Sequence, residues 1–246
     1  MRSSVLAINH LPVNFVEIPK LTPYTDALAQ VAARFDREYR RDPVSLPPEV
    51  ESMSIFQDWA SGKLQNRLAS PFWDYMKPKK NNRCLDLGCG LSFLVFPCWR
   101  EWDAHFYGQD ISTVAKDLIN SRAPQLNSKT FKGVKQASAD QLDNYDNDFF
   151  DWAIATGVSC YGDLDYWKQV LGSVKKVLKP GGSFVFDVLN PDAEGAENWA
   201  ILETYLGAEV GLETLSDWES AIKSTGAKIK QHKPHECFEL YRVTFD

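Results

Sequence analysis

Two glycines and an aspartate near the middle of the chain have the spacing of a nucleotide-binding site. Gly88 and Gly90 follow a predicted strand at 83–87, and glycine lets a backbone turn sharply and approach a ligand closely. Asp110 comes 20 residues after Gly90, where a carboxylate at the end of the next strand can accept hydrogen bonds from both hydroxyls of a ribose. The pattern therefore predicts a nucleoside ligand at the ends of two adjacent strands.

The residues around these glycines favour a positively charged nucleoside over a dinucleotide. The dinucleotide fingerprint has a third glycine three residues after the second, and this chain has Phe93 there. Asp86 precedes the first glycine by two residues, and its charge would repel a pyrophosphate. S-adenosylmethionine has an ammonium, a sulfonium and a ribose but no phosphate. It is therefore the favoured ligand, and an NAD-dependent oxidoreductase is the less favoured alternative.

Strand and helix patterns alternate from residue 83 onwards, which is typical of a mostly parallel, doubly wound α/β sheet. Strands are predicted at 83–87, 104–109, 131–137, 149–156 and 183–189. A last pair, at 227–232 and 237–245, indicates an antiparallel edge. Helices are predicted at 92–102 with a bend at Pro97, and at 113–122, 164–178, 194–206 and 216–224. These elements would carry the glycines and Asp110 to one edge of the sheet.

The first 82 residues are predicted to form a helical cap or lid. Large apolar residues recur there at helical spacing, namely Tyr24, Leu28, Val31, Phe35 and Tyr39. Thr22 and Pro23 have the residue types of a helix start, and further helices are predicted at 55–68 and from Ser70-Pro71 to Met76. The aromatic residues of this region are expected mostly in the core, with one or two in an acceptor pocket: Phe56, Trp59, Phe72, Trp73 and Tyr75.

Five segments, in order, resemble the motifs of class I S-adenosylmethionine-dependent methyltransferases. They lie at 85–90, 108–112, 139–142, 150–156 and 178–182. With the final strand pair, the resemblance covers roughly two-thirds of the chain. It implies a Rossmann-like, doubly wound, seven-stranded and mostly parallel sheet with an antiparallel C-terminal strand and an N-terminal helical extension. Residues 1–82 would be the helical cap, and residues 83–246 the domain that binds S-adenosylmethionine.

The resemblance also implies roles for individual residues. Those expected to contact the cofactor are Asp86, Gly88, Cys89, Gly90, Asp110, Ile111, Asp140, Gln141, Thr156 and Gly157. Asp86 would orient the ammonium, Asp110 would hold the ribose and Asp140 would bind the adenine amino group. Thr156 and Gly157 would face the methyl group and its acceptor.

The expected reaction is an in-line displacement at the sulfonium methyl, in which the enzyme aligns the reactants and excludes water. Tyr161 follows the fourth predicted strand, at the edge where ligands bind in open α/β sheets, and is the candidate catalytic residue, as an orienting group or a proton acceptor. Cys89 is expected to pack against the backbone, because methyl transfer needs no enzyme nucleophile. No metal is expected, since Thr156 stands where a magnesium-dependent enzyme would need a carboxylate.

A small-molecule acceptor is expected, and a non-catalytic S-adenosylmethionine-binding regulator is the alternative. The net charge of −6 and the sequence at 156–159, which lacks the run that grips a flipped base, both disfavour nucleic acid. No apolar run approaches the roughly 20 residues that span a membrane, and residues 1–19 do not resemble a signal peptide. The 5 cysteines form no CxxC pair, which favours a reducing, cytoplasmic location. A monomer or a homodimer is expected.

Overall fold

A computed structural model describes residues 24–64, 67–68, 72 and 75–245. Seven strands form its single sheet: β1 (Arg83–Leu87), β2 (His105–Asp110), β3 (Phe131–Gln136), β4 (Phe150–Ala155), β5 (Leu178–Leu189), β6 (Ala227–His235) and β7 (Phe238–Phe245). Their order is β3-β2-β1-β4-β5-β7-β6. The first five strands pair in parallel, and β7 pairs antiparallel with both β5 and β6. The predicted mostly parallel, seven-stranded sheet with an antiparallel C-terminal edge is confirmed.

The strand order creates a crevice at the carboxyl ends of β1 and β4. From β1 the chain moves outward to β2 and β3, then returns to place β4 on the other side of β1. The connections on the two sides of this switch point run in opposite directions, so the loops after β1 and β4 separate and leave room for a ligand. The predicted glycine turn follows β1 directly.

The central strands are mostly buried because helices cover both faces of the sheet. On β5, Phe184 and Phe186 pack in one core cluster with Trp167, whereas Val185 points to the opposite cluster with Ile119. All five side chains are fully buried. This alternation follows the two-residue period of a strand and anchors the sheet between two layers of helices.

Helices surround the sheet, and nine helical segments have both ends within the described part of the chain. They are α1 (Tyr24–Arg40), α2 (Pro48–Glu51), α3 (Ser54–Ala60), α4 (Ser92–Val95), a 3₁₀ helix (Pro97–Glu101), α5 (Thr113–Asn127), α6 (Leu164–Val177), α7 (Ala196–Leu206) and α8 (Leu215–Ser224). Side chains of Ser112, Asp163 and Thr214 cap the first turns of α5, α6 and α8, as expected for these residue types. None of the helices described is both long and apolar enough to cross a lipid bilayer.

Three predicted helices have different bounds in the structure. The helix expected at 92–102 is broken at Phe96, whose backbone is extended (φ −99°, ψ 108°), because Pro97 disfavours the helical conformation of the residue before it. The helix expected at 55–68 is interrupted after Ala60, where Gly62 has φ +73°. In contrast, α5 continues to Asn127, beyond the predicted end at 122, with Pro124 inside it.

The N-terminal helical extension packs over the carboxyl edge of the sheet. Val31 of α1 is buried in one cluster with Tyr161, Trp199 of α7 and Phe238 of β7. Asp36 of α1 also accepts hydrogen bonds at the start of α5, as described below. The predicted helix start at Thr22 and Pro23, and the predicted segment around Ser70, Pro71 and Trp73, lie outside the described residues.

Candidate active site

A deep cleft lies at the carboxyl ends of β1, β2 and β4, beneath α1 and α7. Nine of the eleven residues predicted for the site line it: Asp86, Gly88, Cys89, Gly90, Asp110, Ile111, Thr156, Gly157 and Tyr161. Counted out to its open mouth, the cleft encloses about 1330 Å³ of empty volume. The fold therefore gathers residues from three strand ends around one space.

The loop after β1 exposes its backbone to this cleft. Gly88 and Gly90 have φ values of +63° and +46°, a region in which glycine is least strained. The amides of Gly88 and Cys89 donate hydrogen bonds to the carbonyl oxygen of Gln109 on β2, at 2.8 and 3.3 Å. A Cβ atom on Gly90 would lie only 2.5 Å from the hydroxyl oxygen of Tyr39 on α1. The loop thus needs glycine for both its conformation and its close neighbours.

Asp110 ends β2 and is held by two backbone amides. The amides of Gly90 and Ser112 donate to its Oδ2 and Oδ1 atoms, each at 2.7 Å. The residue is only 5% exposed. Burial raises the pKa of its carboxyl to about 6, although the two hydrogen bonds favour the charged form. Asp110 therefore joins the glycine loop to the start of α5 at the wall of the cleft.

Asp86 places a second buried carboxyl in the cleft. Its Oδ2 atom accepts a hydrogen bond from Ser92 Oγ at 2.6 Å, and the residue is 6% exposed. Burial, with a smaller effect from Asp110, raises its pKa to about 7, against the hydrogen bond from Ser92. A cation that enters the cleft would favour the ionised form of both carboxyls.

Cys89, between the two glycines, is buried. Burial, and then the charges of Asp110 and Asp86, raise the pKa of its thiol well above the ordinary value. A protonated thiol is a poor nucleophile. This environment supports the predicted packing role.

The wall next to β2 is formed by Ile111 and residues 137–139, which line the cleft. Asp140 and Gln141 are not among the lining residues. The Oδ1 atom of Asp140 accepts a hydrogen bond from Ser138 Oγ at 2.5 Å, and Gln141 is exposed. Of the segment 139–142 that was predicted to contact the cofactor, the structure therefore brings the first residue to the cleft. Asp140 and Gln141 follow directly after it.

The roof of the cleft, where α1 and α7 lie, contains a hydrogen-bonded network that links α1, α3 and α7. Arg34 donates through Nε and Nη2 to the two carboxylate oxygens of Glu203, at 2.9 and 2.8 Å. Its Nη1 atom donates to Glu38 Oε2 at 2.5 Å, and Trp59 Nε1 donates to the same oxygen at 3.0 Å. The side chains of Arg34 and Glu203 are 3% and 4% exposed. A buried pair of this kind is costly to break, because either charge alone would lack a partner.

Tyr161 lies against this network. Its ring meets that of Phe35 edge-on, with centroids 5.6 Å apart, and its hydroxyl lies near the Glu203 carboxylate. Burial, and then the neighbouring Glu203 carboxylate, raise the pKa of Tyr161 well above its ordinary value. Near neutral pH the hydroxyl is therefore protonated and suited to orienting a ligand.

Asp187 on β5 fixes the loop after β4. It is fully buried, and its Oδ1 and Oδ2 atoms accept hydrogen bonds from the Gly157 amide at 2.8 and 3.1 Å. The hydroxyl of Ser159 donates to the backbone carbonyl oxygen of Asp187. Burial raises the pKa of the Asp187 carboxyl to about 7. These contacts set the position of Gly157 at the rim of the cleft.

Comparison with known proteins identifies the domain that carries this cleft. Residues 85–186 match the family described as "Methyltransferase domain", and the matched segment contains the glycine loop and both buried carboxyls. This segment of the chain is therefore a methyltransferase domain, and the fold is the one predicted, that of class I S-adenosylmethionine-dependent methyltransferases. No curated protein sequence matches the chain.

Solved structures of methyltransferases share the fold over most of their length. Geranyl diphosphate C-methyltransferase from Streptomyces coelicolor A3(2), in complex with Mg²⁺, geranyl diphosphate and S-adenosyl-L-homocysteine, is 13% identical with a TM-score of 0.66, covering 92% of this chain and 99% of that one. Magnesium protoporphyrin IX methyltransferase from Synechocystis PCC 6803, with bound S-adenosyl-L-homocysteine, is 15% identical with a TM-score of 0.61, covering 91% and 99%. A putative methyltransferase in complex with the Haloferax volcanii Trm112 activator is 14% identical with a TM-score of 0.58, covering 81% and 99%. At these identities the likeness is one of fold.

The cleft suits the predicted cofactor, S-adenosylmethionine. Gly88 and Gly90 themselves have no side chains to obstruct a close approach, and Asp86 and Asp110 supply two carboxyls to a ligand that carries an ammonium and a ribose. The predicted cofactor is confirmed, and the family match sets aside an NAD-dependent oxidoreductase and favours an enzyme over a regulator. Among the described residues, no group of three or more His, Cys, Asp or Glu side chains could hold a metal ion.

Sequence analysis missed Asp187 and the Arg34–Glu203 pair. A signal for Asp187 exists, because a carboxyl inside the apolar run of β5 is a polar group that must be satisfied in the core. Arg34 and Glu203 are 169 residues apart, and no local pattern joins them.

Proposed function

We propose that this chain transfers the methyl group of S-adenosylmethionine to a small-molecule acceptor held beneath α1. One observation carries the proposal: the cleft continues from the glycine loop and its two buried carboxyls into an enclosed space under α1 and α7. An enclosed, mostly apolar pocket with a few convergent polar groups is the usual form of a small-molecule site. The acidic net charge of −6 also supports a small acceptor over nucleic acid.

We assign the cofactor half of the cleft to the residues predicted from the sequence. Asp86 takes the ammonium and Asp110 takes the ribose hydroxyls, while the backbone from Gly88 to Gly90 accommodates the methionine end. Ile111 packs against the adenine. The segment 137–141 recognises the adenine edge, with residues 137–139 at the cleft and Asp140 and Gln141 directly after them.

S-adenosylmethionine supplies a methyl group on a positively charged sulfur atom. The chain's own residues then have to align the acceptor and exclude water. Asp187 holds Gly157, and therefore the adjacent Thr156, at the point where the two halves of the cleft meet. Tyr161 is the candidate catalytic residue, and its protonated hydroxyl orients the acceptor by a hydrogen bond. Its raised pKa makes it a poor proton acceptor.

Residues 1–82 act in this proposal as a cap on the cofactor domain at 83–246. Support comes from α1, which contributes Arg34, Phe35, Glu38 and Tyr39 to the lining of the cleft. Removing these side chains would open the acceptor half to solvent. The cap would therefore complete the site as well as cover it.

Calorimetric titration with S-adenosyl-L-homocysteine, followed by methyl transfer into a metabolite panel, tests the proposal. Asp110→Ala is expected to weaken binding by about 1–3 kcal/mol, because ribose hydroxyls lose their acceptor. Asp103→Ala is the matched control, since the Asp103 side chain is 70% exposed and pairs only with exposed Lys80 among the ion pairs of the described residues. Equal affinities for the two variants would remove Asp110 from the cofactor site, and absence of binding to the unmodified chain would refute the proposal.

A further inference from the structure

We propose that the hydroxyl of Tyr39 on α1 binds the carboxylate at the methionine end of S-adenosylmethionine. The proposal rests on the methyltransferase function proposed above and adds to that site a cofactor-binding residue that the cap supplies. It is carried by the position of this hydroxyl over the glycine loop, and by the hydrogen bonds that already engage the amides of the loop and the arginine of the cleft.

The Tyr39 hydroxyl lies over the glycine loop. A Cβ atom on Gly90 would come within 2.5 Å of its oxygen, so the hydroxyl is on the side of Gly90 from which a side chain would project. The Tyr39 ring stacks on that of Phe35, with centroids 5.8 Å apart and ring planes at 26°. Tyr39 lines the same cleft as Asp86 and Asp110. The hydroxyl therefore belongs to the half of the cleft assigned to the cofactor.

Helix α1 is anchored next to this loop, one turn before Tyr39. Asp36 accepts hydrogen bonds from Ser112 Oγ at 2.5 Å and from the Val114 amide at 3.2 Å. Residues three apart on a helix are neighbours on its surface. The contacts that hold Asp36 at the start of α5 therefore also keep Tyr39 close to the loop.

The amides of the glycine loop are engaged within the protein. Those of Gly88 and Cys89 donate to the carbonyl oxygen of Gln109, and that of Gly90 donates to the carboxylate of Asp110. These three residues thus offer the methionine end of the ligand room for a close approach, whereas their hydrogen-bond donors already have acceptors.

The arginine of the cleft is engaged as well. Arg34 is the one basic residue among the described residues that line the cleft, and its Nε, Nη1 and Nη2 atoms all donate to the carboxylates of Glu203 and Glu38. Breaking this buried network to reach a ligand would be costly. We therefore expect a ligand carboxylate in the cofactor half to rely on a neutral donor, and a protonated hydroxyl is such a donor.

The Tyr39 hydroxyl meets this requirement. Within the described part of the chain it has no hydrogen-bond partner. Burial, and then the charge of Asp110, raise the pKa of Tyr39 well above its ordinary value, so the hydroxyl is protonated near neutral pH. A hydrogen bond from a hydroxyl to a carboxylate is stronger than one between two neutral groups.

The two charges of the amino-acid group would then be held by different parts of the fold. Asp86 at the end of β1 takes the ammonium, as proposed above, and Tyr39 reaches the carboxylate from α1. A nucleoside without the carboxylate would lose the contact with α1 and keep those with Asp86 and Asp110. This difference makes the proposal testable by binding alone.

Three nucleosides that share the adenosine and its sulfur atom provide the test. S-adenosyl-L-homocysteine has the ammonium and the carboxylate, S-adenosyl-3-thiopropylamine has the ammonium alone, and 5′-methylthioadenosine has neither. Displacement of radiolabelled S-adenosyl-L-homocysteine from the full chain would measure all three affinities, including weak ones. Tyr39→Phe removes only the hydroxyl. It should weaken the binding of S-adenosyl-L-homocysteine roughly tenfold and change that of the other two by less than about twofold.

Tyr205→Phe is the matched control and should leave all three affinities unchanged, since Tyr205 is 50% exposed on α7 and lies outside the lining of the cleft. An affinity for S-adenosyl-L-homocysteine that Tyr39→Phe leaves within about twofold overturns the proposal. An equal loss for S-adenosyl-L-homocysteine and S-adenosyl-3-thiopropylamine also overturns it, because the hydroxyl would then serve a group other than the carboxylate. An equal loss for all three nucleosides does the same.

The two proposals fail in different ways. If S-adenosyl-L-homocysteine does not bind the unmodified chain, the proposed function fails. If it binds, and Tyr39→Phe leaves the ratios among the three affinities unchanged, only the inference about Tyr39 fails.

Discussion

Lowering the pH from 7 to 5 is predicted to weaken the binding of S-adenosylmethionine by roughly 500-fold. The reason lies in the two carboxyls assigned to the cofactor. Burial raises the pKa of Asp86 to about 7 and that of Asp110 to about 6. A ligand with an ammonium and a sulfonium binds best when both groups are ionised, so protonation competes with binding.

The magnitude follows from the fraction of molecules in which both carboxyls are charged. At pH 5, a group with a pKa of about 7 is ionised in roughly one molecule in a hundred, and one with a pKa of about 6 in roughly one in eleven. At pH 7 these fractions are about one half and nine tenths. The ratio of the two products is roughly 500, or about 4 kcal/mol.

Calorimetry at pH 5, 6 and 7, in buffers of different ionisation enthalpy, would measure both affinity and proton release. About 1.4 protons should leave the protein on binding at pH 6. Asp86→Asn should bind more weakly at pH 7 and retain only the roughly tenfold pH dependence that Asp110 contributes. A change below about threefold in the unmodified chain between pH 5 and 7, or no proton release, would refute the assignment of these carboxyls to the cationic ligand.

Three further predictions concern the glycine loop, the roof and β5. Gly90→Ala should weaken S-adenosyl-L-homocysteine binding at least about tenfold in calorimetry. Gly181→Ala is the control and should leave the affinity unchanged, because a Cβ atom there meets nothing within 4 Å. Equal effects of the two substitutions would contradict the need for glycine at position 90. Arg34→Met should lower the free energy of unfolding by about 3–5 kcal/mol in urea titrations, and adding Glu203→Leu should cost less than the sum of the single changes, because no lone charge remains buried. Burial raises the pKa of Asp187 to about 7, so this carboxyl holds its proton more tightly in the folded state than in the unfolded chain. The folded state therefore loses stability as the pH rises through 7. Asp187→Asn should reduce the fall in melting temperature between pH 6 and 8, and an unchanged fall would contradict this.

The sheet could be predicted because its signals are local. Apolar runs such as β4 and β5 identify strands buried on both faces, and their alternation with helical patterns fixes a parallel topology. The antiparallel C-terminal edge was also expected from the two closing runs. Helix bounds were less predictable where a single residue decides them, as at Phe96, which Pro97 forces out of the helix, and at Gly62, which takes up a positive φ.

The cofactor half of the cleft was predictable for the same reason. Gly88, Gly90 and Asp110 occupy fixed offsets from strand ends, so the fold places them together once the strands are known. Asp140 shows the limit of this reasoning. It lies in the right turn, yet the direction of a side chain within a turn depends on tertiary contacts, and here its Oδ1 atom meets Ser138 Oγ.

The acceptor half could not be predicted, because its polar groups come from opposite ends of the chain. Arg34 and Glu203 meet only after α1 and α7 have packed on the sheet. Trp59 was expected mainly as a core residue, and only the structure shows its indole nitrogen bonded to Glu38. Long-range polar pairs leave no periodic pattern in a sequence, since neither residue carries information about its partner.

Helix α1, which covers the acceptor half of the cleft, also contacts the cofactor half. Asp36 of α1 accepts hydrogen bonds from Ser112 Oγ at 2.5 Å and from the Val114 amide at 3.2 Å, at the N-terminus of α5, where an acidic side chain is favoured. The Ser112 amide in turn donates to Asp110. A shift of Asp110 toward a ribose would therefore change the hydrogen bonds of Ser112, and through them the position of α1. Arg34 and Glu38 lie on this helix. The geometry links the carboxylate proposed to bind the nucleoside with the helix that covers the acceptor half.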